Sequence, residues 1–171
     1  MRMMYTTRYA SPLGDMLLAA DKMGLTGVWF DGQKYFARSL DTNCTQKETT
    51  DLVHAKRWLD AYFRGMQPDF MPRLHLIGSA FQQTVWQMLL QIPYGQTTTY
   101  GAIAKQIACE RGLPRMSAQA VGGAVGHNPI SILVPCHRVV GTNGKLTGYA
   151  GGMERKRQLL LWEKKHALAA E

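Results

Sequence analysis

The chain has 171 residues, 46% of them hydrophobic, and a formal charge of +8. That length holds one domain, or two small ones, around a real core, and the composition excludes a disordered chain. There is no apolar run of 18 residues to cross a membrane and no apolar signal-peptide core after Met1-Arg2-Met3-Met4. Three cysteines without paired spacing argue against a disulfide framework and for a reducing compartment, taken here as the cytoplasm.

The charge is uneven. Residues 1–76 hold 10 Lys+Arg against 8 Asp+Glu, and residues 77–171 hold 10 against 4, so +6 of the +8 lies in the second half. That half is the candidate polyanion-binding half, against the plainer reading of a basic surface kept for solubility.

In chain order, the first thirty residues read as β-hairpins. Ser11-Pro12-Leu13-Gly14 and Asp21-Lys22-Met23-Gly24 are turn sequences, each followed by an apolar run, residues 16–20 and 25–30. Residues 31–48 are polar and read as a loop. Thr50 or Asp51 caps a helix to about Arg64, which Gly65 ends. Residues 66–73, with Pro68 and Pro72, form a linker, and residues 74–77 a short strand. Ser79 with Gln82 is a capping box for a helix carrying Phe81, Val85, Met88 or Leu89, and Ile92 at helical spacing. Thr97 to Thr99 cap the next helix, residues 100–109. After a long loop, Ser117 caps a third, residues 118–126.

This third helix, Ala118-Gln119-Ala120-Val121-Gly122-Gly123-Ala124-Val125-Gly126, has one long side chain. Each interior glycine costs a helix about 1 kcal/mol against alanine, so close approach to something must compensate. Tight packing on a neighbouring helix and approach to a nucleic-acid groove both remain open. Asn143-Gly144 signals a type I′ hairpin turn. A glycine-rich loop, residues 148–152, then precedes a final helix, residues 153–168.

The chemistry concentrates in Ile132-Leu133-Val134-Pro135-Cys136-His137-Arg138-Val139-Val140. The two β-branched runs read as buried strands, and a thiol and an imidazole stand side by side between them. A thiolate forms readily only where a basic or positive group assists it. Burial as a plain packing thiol is the competing reading of Cys136. In strand geometry, neighbouring side chains point to opposite faces. His137 therefore assists Cys136 only through a water or a break in the strand, for which Pro135 is the natural place. Cys44 and Cys109 read as packed or idle thiols, and His54 as a helix-surface residue. No CxxC or HExxH spacing supports a metal. Glu163, beside Lys164 and Lys165, is either solvent-facing or the carboxylate that orients His137.

Pro135-Cys136-His137-Arg138-Val139 resembles the active-site signature of the O6-alkylguanine-DNA alkyltransferase (methylated-DNA–protein-cysteine S-methyltransferase) family. Phe81-Gln82-Gln83-Thr84-Val85-Trp86, Tyr100-Gly101-Ala102-Ile103-Ala104, Ala120-Val121-Gly122-Gly123-Ala124, Asn128-Pro129 and Gly148-Tyr149-Ala150-Gly151-Gly152 follow the family's order. The match covers residues 77–165. Ser11-Pro12-Leu13-Gly14 and Leu59-Asp60-Ala61-Tyr62-Phe63-Arg64-Gly65 extend it loosely into the first half.

The resemblance implies an α+β protein. Residues 1–76 would form an RNase H-like antiparallel sheet domain, and residues 77–171 a helical, winged-helix-like domain with a helix-turn-helix. It implies a monomer that binds double-stranded DNA containing alkylated bases, with no cofactor and no metal. The lesion is flipped into a pocket, and Cys136 takes the alkyl group from guanine O6 irreversibly; O4-alkylthymine stays open as a second lesion. His137 is implied as base through a water, Glu163 as its orienting carboxylate, Tyr100 as proton donor to the guanine, and Asn128 as brace of the active-site turn. Gln119 (where the family often carries a finger arginine), Ala120, Gly122, Gly123, Arg138 and Thr99 are implied at the DNA, and Val139, Tyr149 and Ala150 at the base pocket. The alternatives are a lesion-binding protein without chemistry and, ranked last, a cysteine hydrolase.

Overall fold

The computed structural model describes residues 2–169, and the chain falls into two compact units. One comprises residues 1–77 with 129–133, the other residues 78–128 with 134–171. The short piece 129–133 groups with the first unit.

The first unit is a four-stranded sheet with one helix. Strands β1 (Met4–Ser11), β2 (Gly14–Asp21) and β3 (Gly24–Phe30) form the expected antiparallel meander. Every residue of β3 is buried, so its sequence carries no polar alternation. Gly27 has a specific reason: a Cβ there would stand 1.9 Å from the Trp29 ring. A fourth strand, β4 (Cys44–Gln46), pairs parallel to β1 in the order β3-β2-β1-β4. It lies in the segment read as loop. All three of its residues are exposed and polar, so neither alternation nor burial marks it.

Helix α1 (Thr50–Phe63) packs on β1, β2 and β3 through Leu52, Ala55, Trp58, Leu59 and Tyr62. These recur at three- and four-residue steps, the spacing of one helical face. The cap is Thr49, whose hydroxyl accepts the Leu52 amide at 3.3 Å. It lies one residue before the expected Thr50 and two before Asp51, and Asp51 instead binds Arg73 at 2.8 Å. The strand expected at residues 74–77 reduces to a single parallel bridge, Leu25 to Leu74. A second bridge, Val28 to Ile130, lies further along β3. Together they occupy the open edge of that strand.

In the second unit, α2 (Ala80–Leu89) begins with the complete Ser79–Gln82 capping box and buries Val85, Trp86 and Leu89. Helix α3 (Tyr100–Glu110) is capped by Thr99 and buries Ile103, Ala104, Ile107 and Ala108. Helix α4 (Ala118–Gly126) is capped by Ser117 and buries Val121, Ala124 and Val125. The Trp86 indole donates to the Ala124 carbonyl at 2.8 Å and so ties α2 to α4. Strands β5 (Thr98–Thr99) and β6 (Val139–Val140) form a parallel pair of two residues each, too short to leave a period in the sequence. Asn143 and Gly144 take φ of 59° and 76°, as a type I′ turn requires, although the turn joins no pair of strands. Helix α5 (Met153–Ala169) closes the unit. None of the helices is long and apolar enough to cross a membrane among the described residues.

Candidate active site

The run around Cys136 is buried as expected but is not a pair of strands. Ile132, a β-branched residue, sits at φ 71°, and Leu133 N bonds back to the Ser131 carbonyl at 2.8 Å. Left-handed backbone is costly for such a side chain and persists only where its surroundings hold it. Pro135 adopts φ −82°, ψ 65°, and Cys136 N bonds to the Val134 carbonyl at 2.8 Å, forming an inverse γ-turn. Cys136–Arg138 is then one turn of 3₁₀ helix, and only Val139–Val140 is strand. Successive side chains on such a turn are about 120° apart rather than opposed. The break expected at Pro135 therefore frees Cys136 and His137 from opposite faces.

His137 is fully buried, and its Nε2 meets Glu163 Oε2 at 2.5 Å. Glu163, 1% exposed on α5, also accepts Arg138 Nε at 2.7 Å and the Gly95 amide at 3.2 Å through Oε1. Solvent-facing placement is thereby excluded. Burial alone would raise the Glu163 pKa, but His137 and Arg138 outweigh it and hold the carboxyl well below the usual range. Burial pulls the His137 pKa below its ordinary value despite the carboxylate, so the resting imidazole is neutral. A carboxylate cannot donate, so the single imidazole proton lies on Nε2. Nδ1, which has no hydrogen-bond partner, is left as an acceptor.

The Cys136 thiol is 5% exposed. Burial pushes its pKa up, while a hydrogen bond from Asn128 and the charge of Lys156 pull the other way. The net shift is upward, so the resting group is a thiol and must lose its proton as it reacts. Asn128 is buried and donates Nδ2 to the Val134 carbonyl at 2.7 Å, which pins the turn leading into the cysteine. Tyr100, the first residue of α3, has its phenol held protonated by burial, with a further upward push from Cys136.

Lys156 was not anticipated. It is fully buried, and Nζ donates to the carbonyls of Val139 at 2.6 Å, Thr147 at 2.7 Å and Gly148 at 3.2 Å. It lies 5.8 Å from the Tyr100 ring centre, and burial pulls its pKa down to about 8. The signal was present: Lys156, Leu159 and Glu163 are the buried residues of α5 and follow the i, i+3, i+7 spacing of one face.

The remaining expected residues divide. Arg138, expected at the DNA, has its guanidinium turned inward, bound to Glu163 and to the Ile92 carbonyl at 2.7 Å. The Thr99 hydroxyl is engaged as the α3 cap. Gln119, Ala120 and Gly123 are exposed on α4, and Gly122 is half-buried. A Cβ at Gly123 would meet nothing within 4 Å, and one at Gly122 would reach Tyr100 Cδ1 only at 3.7 Å, an ordinary contact. Close packing inside the protein therefore does not require glycine at either position. Val139 offers its carbonyl to Lys156, and Tyr149 and Ala150 are half-buried in the loop before α5.

Comparison with known proteins agrees along the whole chain. Residues 4–76 match the family described as 6-O-methylguanine DNA methyltransferase, ribonuclease-like domain, and residues 80–165 match its DNA binding domain. The methylated-DNA–protein-cysteine methyltransferase of Mycolicibacterium paratuberculosis is 46% identical over 160 residues, covering 94% of this chain and 92% of that protein. The protein of the same name from Methanosarcina acetivorans is also 46% identical, with 94% and 98% covered. Among solved structures, Mycobacterium tuberculosis OGT in complex with DNA superposes with a TM-score of 0.80 at 44% identity, covering 96% of this chain and 94% of that one. With a buried cysteine, histidine and glutamate in the family's order and both halves matched, the chain belongs to the 6-O-methylguanine DNA methyltransferase family.

Proposed function

We infer that this protein repairs DNA by direct reversal, moving an alkyl group from guanine O6 in double-stranded DNA onto Cys136 once and irreversibly. The observation that carries the reading is the buried contact between His137 and Glu163 beside the thiol. Glu163 occupies Nε2, so the buried base offers Nδ1 as its only acceptor, one residue from the thiol.

In the reaction, His137 Nδ1 takes the thiol proton by way of a water. The sulfur then attacks the alkyl carbon, a C–S bond forms and the C–O6 bond breaks. Charge left on the guanine is neutralised by a proton from Tyr100. Glu163 stabilises the imidazolium, and Lys156 compensates the thiolate. The thioether resists hydrolysis and no second nucleophile removes it, so each molecule acts once.

Helix α4 supports DNA as partner. Its exposed face carries Ala120 and Gly123 with open space around the latter, which admits the close approach of a narrow groove. Gln119 lies in the first turn of that helix, at the place of the family's finger arginine, and is assigned to the gap left by the extruded base. Asn128 braces the reacting turn, and Val139, Tyr149 and Ala150 line the base pocket. The reading places a monomer in the cytoplasm with the DNA it serves.

The test is single-turnover transfer from an oligonucleotide labelled on the O6-methyl group. The expected result is one equivalent of label on the wild type and none on Cys136→Ser. Intact lesion bound by wild-type protein would favour damage recognition without chemistry.

A further inference from the structure

Arg138 follows the nucleophile by two positions, yet its charge serves the interior. Nε donates to Glu163 Oε1 and Nη1 to the Ile92 carbonyl, both at 2.7 Å, and the guanidinium lies 5.6 Å from the Tyr94 ring centre. Glu163 is therefore shared, with Oε2 on His137 and Oε1 on Arg138 and the Gly95 amide. Carboxylate and imidazole are both shut off from water, so neighbours set their proton count.

A buried carboxylate beside a neutral imidazole is together a net anion, which a low-dielectric interior disfavours. Without compensation the pair would take up one proton. It could hold that proton as a carboxylic acid against Nε2 or as a carboxylate against an imidazolium. In both arrangements Nδ1 carries a hydrogen and cannot accept another. A permanent cation on the carboxylate removes the excess charge without that proton.

We propose that Arg138 is a positioning residue for the alkyl transfer, keeping the Glu163–His137 pair one proton short so that Nδ1 stays an acceptor. The proposal rests on the alkyl-transfer reading and adds a residue to its proton chemistry. The groups that face the pair are few. His137 is met by Glu163 and Lys156 from α5 and by Arg138 from its own turn; Glu163 is met by His137, Arg138 and Tyr94. Helix α2, also packed on the turn, bears no titratable side chain. Of the two cations, only Arg138 bonds the carboxylate.

Arg138→Met removes the charge at similar volume, and Arg138→Lys restores it. Each variant is checked for folding by circular dichroism and thermal melting. The His137 imidazole is then titrated by ¹⁵N NMR in unreacted protein without DNA, and single-turnover transfer to Cys136 is followed against pH. Wild type should show an unprotonated Nδ1 at pH 7. In Arg138→Met, Nδ1 should be protonated there, and the acid limb of the rate profile should move up by about 1–2 pH units. Because the wild-type imidazole is held below 6.5, that slows transfer at pH 7 by at most roughly 25-fold, recovering in alkali and largely rescued in Arg138→Lys. A uniform loss of rate at all pH values with Nδ1 unchanged would overturn the proposal. If Arg138→Met does not fold, Arg138→Lys must still show a smaller upward shift, and none at all would overturn it equally. Should the wild type transfer no alkyl group, the functional reading fails, while the imidazole titration still decides the role of Arg138.

Discussion

Gly123→Ala separates what α4 does for the fold from what it does for DNA. The glycine is exposed, its φ is negative, and an added Cβ would meet nothing within 4 Å. Alanine loses less backbone freedom in a helix, so the folded state should gain about 0.5–1 kcal/mol, raising the melting temperature by roughly 1–4 °C in a chain of this size. The added methyl group also projects from the surface assigned to the groove. If backbone and DNA meet there in van der Waals contact, overpacking by one carbon costs about 1 kcal/mol or more, at least a fivefold weaker complex. The assay pairs thermal melting with two rates at Cys136, one on lesion-containing duplex and one on an O6-alkylguanine free base. Stability should rise, the duplex rate at subsaturating protein should fall at least about fivefold, and the free-base rate should hold. A stabilised variant with an unchanged duplex rate would refute the argument that these glycines serve DNA, and a destabilised one would reveal packing that the open space denies.

Lys156→Met leaves three carbonyls, one buried and two part-buried, without their shared donor and takes a cation from the thiol. Urea unfolding should show a loss of about 2–4 kcal/mol, and the pH at which iodoacetamide alkylates Cys136 half-maximally should rise. Acid should weaken the fold in two stages. His137 is held below its ordinary 6.5, so below pH 6.5 the unfolded chain binds a proton that the folded one refuses. Glu163 is held well below its ordinary 4.5, so a second loss begins below pH 4.5, and Glu163→Gln should remove that stage from the profile of urea midpoint against pH. Gln119→Arg restores a cationic finger and should speed reaction on duplex while leaving the free-base rate alone. Equal acceleration of both would place residue 119 away from base extrusion.

The fold was legible where one physical signal dominated. Ser79 with Gln82, Ser117 before the small-residue helix, and the two turns of the first thirty residues each mark an element by local hydrogen bonding or turn geometry. β4 and β5 escaped because strands of two or three residues show no alternation, and their pairing depends on distant segments, whereas β6 was marked by its β-branched pair Val139–Val140. Ile132 to Pro135 reads as strand from its β-branched content, yet Ile132 takes φ 71° and the chain bends at Pro135, and propensity gives way to the local turn geometry. In the site, Cys136 and His137 stand out as chemistry inside an apolar run. Glu163 needed the family resemblance, because a glutamate between lysines and leucines looks like helix surface. The inward placement of Arg138 and Lys156 was not legible for one reason: composition treats a cation as surface, whereas here each is buried on oxygen partners contributed from elsewhere in the chain.

The central claim is that Cys136 itself becomes the alkyl acceptor. Mass mapping of the protein after exposure to duplex carrying O6-methylguanine tests it most directly. The account predicts that a hydrogen is replaced by a methyl group on the peptide containing Cys136, in proportion to lesion lost, with Cys44 and Cys109 unmodified. Loss of the lesion with Cys136 unmodified, or repeated turnover by one molecule, would contradict it.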